Sequence, residues 1–78
     1  MKKIDALLYI KSELDRASIR FPPFHSAHEG YAVLLEEVDE LWDEVKKNPG
    51  KREIERIKQE AIQVAAMAAR ILVDLCPD

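Results

Sequence analysis

Cysteine is nearly absent: Cys76 stands alone in 78 residues, so no disulfide within the chain can brace the fold. A chain this short builds only a marginal core, and size alone calls for a metal or a partner chain in place of disulfides. The single cysteine also accords with a reducing, intracellular compartment. Positive charge is not in excess. The net charge is −3, which gives no general attraction for nucleic acid or an anionic membrane. No apolar run approaches about 18 residues, so nothing in the sequence spans a bilayer as a helix. The opening MKKIDALLYIKSELD carries charges every few residues and no small-residue cleavage site. It is not read as a signal peptide, and the cytoplasm is the expected location. Strand alternation, internal repeats, low-complexity segments and His/Cys clusters with zinc spacing are all missing.

What is present suits helices: 35% of residues are charged and 6% are aromatic. Two breaks, the proline pair in IRFPPFHS and NPG at 48–50, divide one domain, residues 1–78, into three helices at about 3–17, 26–47 and 52–75. In the first, Leu7, Ile10, Leu14 and Ala17 recur at three- and four-residue spacing and form an apolar stripe. The second starts on SAHE, where Ser26 and Glu29 make a capping box, and ends on Lys46 and Lys47, which suit the negative end of the helix dipole. Pro77 lies just beyond the third. The expected fold is all-α, an antiparallel bundle of three helices per chain completed by oligomerisation.

The stretch LLEEVDELWDEV poses the functional question. Six of the nine residues from 36 to 44 are acidic, with no base among them. At about 100° per residue, Leu34, Val38, Leu41 and Val45 form the core stripe, widened on one side by Tyr31, Leu35 and Trp42. Glu37, Glu40 and Glu44 fall on the other border, while Glu36 and Asp43 point toward solvent. Glu37 and Glu40 are i,i+3 neighbours, where like charges repel by a few tenths of a kcal/mol, and by more as the dielectric falls. Mg²⁺, which prefers carboxylate oxygens, would reverse that sign. The alternative is a solvated acidic face.

The third helix weighs on that choice. From Ala61 to Leu75 it is apolar nearly all round, which calls for cover on both sides and hence a homodimer, or a homotetramer. A narrow polar stripe survives in it: Gln59, Glu60, Gln63, Arg70 and Asp74. Glu60 and Gln63 repeat the i,i+3 spacing of Glu37 and Glu40. If the short NPG link makes the second and third helices antiparallel neighbours, three carboxylates and an amide oxygen surround one point.

EEVDE (Glu36, Glu37, Glu40), nineteen residues, then EAIQ (Glu60, Gln63) resembles the EExxE…ExxD signature of the all-α nucleoside triphosphate pyrophosphohydrolases, the MazG-like superfamily. The likeness covers roughly residues 21–75. It implies a Mg²⁺-dependent enzyme, with Mn²⁺ as an alternative ion, that cleaves an NTP or dNTP to the monophosphate and pyrophosphate. The family's metal positions fall on Glu37, Glu40 and Glu60, and its fourth, normally Asp, is Gln63 here. An amide there weakens the site's hold on the ion and removes one charge. Asp74 cannot substitute, being about 16 Å further along the helix axis.

In that reading Glu36 or Glu44, left uncoordinated, takes the proton of the attacking water. Arg70 meets the leaving pyrophosphate, or else only pairs with Asp74. Lys58 is a further substrate-binding candidate, with Lys46, Lys47 and Lys51 behind it, from the same subunit or another. Phe21 or Phe24 stacks on the base and His25 bonds its edge, or both phenylalanines close the top of the bundle. His28 packs or bonds locally rather than binding metal, and Trp42 and Met67 are core or subunit contacts. Two other readings compete: a non-catalytic helical dimer, and a di-iron bundle, which would need Glu-x-x-His pairs that are missing.

Overall fold

The computed structural model describes residues 1–78 and contains three helices and no strand: α1 (Lys3–Arg20), α2 (Ala27–Val45) and α3 (Ile54–Leu75). A 3₁₀ turn, Pro49–Lys51, links the last two. α1 continues three residues past the expected end, to Arg20, and stops where the backbone of Phe21 turns extended ahead of the proline pair. At the start of α2 the Ser26 hydroxyl accepts from the Glu29 N–H at 3.1 Å. The Glu29 carboxylate reaches back to the N–H of His25, one residue before the cap. This is the expected capping box, displaced by one position. α2 ends where the Val45 carbonyl accepts from the Arg52 guanidinium at 2.9 Å.

α1 and α2 each pack on α3 and not on each other. α3 runs antiparallel to α2 and alongside α1 in the same direction, since Tyr9 meets Lys58 near one end and Phe21 meets Arg70 near the other. The result is an open trough with α3 as its floor. Its small core is Ala17, Phe24, Ala66 and Met67, with Val33, Leu34, Ile71 and Leu75 against it. Gly30 sets the closest approach of α2 to α3. A Cβ there would sit 3.1 Å from Ile71 Cγ1 and 3.3 Å from both Leu75 and Phe24, so any larger residue makes those side chains give way.

The α1 stripe departs from expectation at one place. Ile10 and Leu14 are half-buried and Ala17 is buried, but Leu7 is 60% exposed and Ala6 takes its place against α3. With no contact to α2, α1 covers only a narrow stripe, and Leu7 falls outside it. Val38 likewise lies at the exposed edge of the α2 stripe, while Leu34, Leu41 and Val45 are half-buried.

Only six of the 78 residues are buried. The radius of gyration is 13.5 Å, against about 11.5 Å for a compact domain of this length. Tyr31, Leu35, Val38 and Trp42, at alternating four- and three-residue spacing, form an exposed apolar seam on α2, and Leu72 and Val73 are exposed on α3. No helix is long and apolar enough to cross a membrane.

Candidate metal centre and its cleft

α2 presents Glu37 and Glu40 on one border of its apolar stripe, one helical turn apart. The antiparallel α3 brings Glu60 to the same spot, and one carboxylate oxygen from each of the three lies within 4.8 Å of the others. Glu37 and Glu60 are half-buried and Glu40 is exposed. Burial pushes the Glu37 carboxyl up from 4.5 to about 7, with the charges of Glu40, Glu60 and Glu36 adding to it and a hydrogen bond to Glu40 helping to hold the proton. Burial raises Glu60 as well, followed by its neighbours Glu40 and Glu44.

No protein cation offsets this crowding. Lys47 is bonded to Glu44, Arg16 to Glu13, and Arg70 to the Pro22 carbonyl. Glu60 Oε2 is buried and accepts no hydrogen bond. A buried carboxylate oxygen without a donor is expensive. Clustered carboxylates with one orphaned oxygen fit a hard divalent ion such as Mg²⁺ or Mn²⁺.

The cluster lies along a cleft of about 550 Å³, floored by α3 and walled by α1 and α2. Its far end is the proline loop. There the Arg70 guanidinium, with a side chain only 5% exposed, donates to the Pro22 carbonyl at 3.0 Å and lies 4.1 Å from the Phe24 ring centroid. Asp74 accepts from the Phe24 N–H at 3.1 Å and stands 3.7 Å from Arg70. The loop is therefore fastened to the last turns of α3. Arg70 Nε remains buried without an acceptor.

Of the residues expected at the site, Glu37, Glu40, Glu60, Gln63, Phe24 and Arg70 line this cleft. Gln63 lies beside Glu13 of α1 in the cleft lining and, with Arg16 as the larger cause, helps hold that carboxyl below its usual range. Phe24 is buried, whereas Phe21 is half-exposed in the cleft wall. Glu36, Glu44, His25 and Lys58 lie outside the lining. Glu36 is exposed, Glu44 is bridged to Lys47, and His25 Nδ1 faces Glu29 at 3.3 Å. Lys58 sits 4.2 Å from the Tyr9 ring centroid, on the side of α3 that meets α1. Met67 is core and Trp42 is 58% exposed.

The cleft also contains Glu13 and Arg16, which sequence reasoning passed over. Their signal is faint: an i,i+3 ion pair beside the small Ala17 looks like any helix surface. No protein-family model, no curated protein and no solved structure matches this chain.

Proposed function

We propose that this chain is a divalent-metal-dependent nucleotide pyrophosphohydrolase of the MazG-like kind, hydrolysing an NTP or dNTP to the monophosphate and pyrophosphate. The observation that carries the reading is the meeting of Glu37, Glu40 and Glu60 at one end of a cleft, with Glu60 Oε2 buried and unpartnered. Those three would hold Mg²⁺ or Mn²⁺. A bound ion there supplies charge neutralisation for phosphate oxygens and acidifies a water. The chain's own residues do the rest. The half-exposed Phe21 ring offers a face for a base, and the Arg70–Asp74 clamp fixes the loop that carries it. Glu36 and Glu44 lie outside the cleft lining, so the carboxylates of the cluster are the bases nearest to where such an ion would hold its water.

The working form is a homo-oligomer, a dimer in the first instance. The seam of Tyr31, Leu35, Val38 and Trp42 supports this, since a core of four buried apolar residues leaves the monomer short of apolar burial. Sedimentation at micromolar concentration is expected to find a dimer or tetramer, and Leu35→Lys is expected to yield monomer of lower stability. The exposed lone Cys76 accords with the cytoplasm, and the acidic cleft gives no purchase on nucleic acid.

The enzymatic test is incubation with a panel of NTPs and dNTPs plus Mg²⁺, assayed for pyrophosphate. Release with at least one nucleotide is expected. No release with any of them, together with no metal-dependent rise in melting temperature, would leave a non-catalytic helical dimer.

A further inference from the structure

The polyphosphate of any nucleotide in this cleft needs a cation within reach of the carboxylate end. Arg70 is poorly placed for that. It is ten residues from Glu60, about 15 Å along α3, and its guanidinium is buried against Phe24 and bonded to Pro22. Lys58 lies outside the cleft lining. Arg16 differs from both: it lines the cleft, and its side chain is 51% exposed. Its guanidinium is bonded at 2.9 Å to Glu13, which shares the cleft lining with Gln63, one turn of α3 from Glu60.

We propose that Arg16 is the polyphosphate-binding residue of the cleft, held ready by Glu13 and released to the ligand when phosphate enters. This rests on the pyrophosphohydrolase reading and names a residue that the EExxE…ExxD resemblance does not supply. The exchange trades one fork for another: Arg16 gives Glu13 two bonds, through Nε and Nη2, and a polyphosphate, which carries more negative charge than one carboxylate, competes for the same guanidinium edge. Glu13, only 14% exposed, keeps the neutral Gln63, which favours its charged form, as a neighbour after Arg16 leaves. Gln63 thereby acquires a role that Asp could not fill, because a carboxylate at 63 would repel Glu13. At the other end the half-exposed Phe21 ring lines the same cleft, so a nucleotide with its phosphates at Arg16 sets its base there.

The test is calorimetric binding of inorganic tripolyphosphate with Mg²⁺ present, alongside the melting-temperature rise caused by Mn²⁺ alone. Arg16→Gln is expected to weaken tripolyphosphate binding about tenfold to a hundredfold while keeping the Mn²⁺ response. Glu13→Gln, which frees the guanidinium, is expected to tighten it about two- to fivefold. Lys11→Gln, an equal charge change on the exposed face of α1, is expected to match the wild type. Unchanged affinity in Arg16→Gln overturns the assignment of Arg16 and leaves the metal centre standing. Unchanged or weaker affinity in Glu13→Gln overturns the holding role of Glu13. A wild-type protein with neither a Mn²⁺ response nor tripolyphosphate binding overturns the functional reading and this assignment together.

Discussion

The two ends of the cleft are built on opposite principles. At the loop end, groups are largely matched: Arg70 with the Pro22 carbonyl and Asp74, Asp74 with the Phe24 N–H, and Gly30 shaped to the side chains of Ile71 and Leu75. At the carboxylate end, three groups of one sign crowd together, one oxygen has no donor, and Glu37 is driven toward neutrality. Folding accounts for the first arrangement. The second opposes folding, and such conflicts are where function is to be sought. Substitutions at the two ends should therefore move stability and activity in opposite ways.

The largest expected effect is on turnover. Glu60→Gln or Glu37→Gln should lower pyrophosphate release by about 10²–10³-fold or more, measured at saturating Mg²⁺. At the loop end the large effect is on stability instead. Arg70→Met leaves Asp74 half-buried without its cation and frees the loop, which should cost about 3 kcal/mol in urea unfolding. Gly30→Val drives branched carbons into Ile71 and Leu75, with an expected loss of about 1–3 kcal/mol.

The smallest effect has the opposite sign. Without metal, Glu37→Gln should stabilise the fold by up to about 1 kcal/mol near pH 8, a rise of several degrees in melting temperature for a domain this size. Unfolding of that variant would instead make the acid structural. The pH dependence follows the same logic. Glu37 and Glu60 are raised in the folded chain, so their contribution to stability is fully present below the unfolded value of about 4.5. It is lost as pH rises to about 7, the folded value of Glu37. Glu13 and Glu29 are lowered, by Arg16 and His25 respectively. Their contribution is present above about 4.5 and lost as the solution is acidified further. Metal-free melting curves should therefore fall between about pH 4.5 and 7, and saturating Mg²⁺ should flatten that fall.

Period and punctuation made much of this legible. The proline pair and NPG marked the breaks, Ser26 and Glu29 marked the start of α2, and the i,i+3 spacing of Glu37 and Glu40 with the antiparallel return to Glu60 predicted the cluster. These depend on one helix or on one short connection. Less visible was anything that depends on how α1 lies against α3. That α1 and α2 do not touch, which opens the cleft, follows from packing geometry and not from either stripe alone. Glu13 and Arg16 enter the cleft for the same reason, and Lys58 is turned toward Tyr9. The clamp on the loop was hidden because it relies on the backbone groups of Pro22 and Phe24, which no residue pattern encodes.

The central claim, that a divalent ion is what three converging carboxylates are for, is tested most directly by following the melting temperature of wild type and Glu60→Gln against Mn²⁺ at about pH 8, above the titration of Glu37. The account predicts a saturable rise of several degrees in the wild type and little or none in Glu60→Gln, which should start higher without metal. A wild type indifferent to Mn²⁺, or a rise of equal size in both proteins, would contradict it.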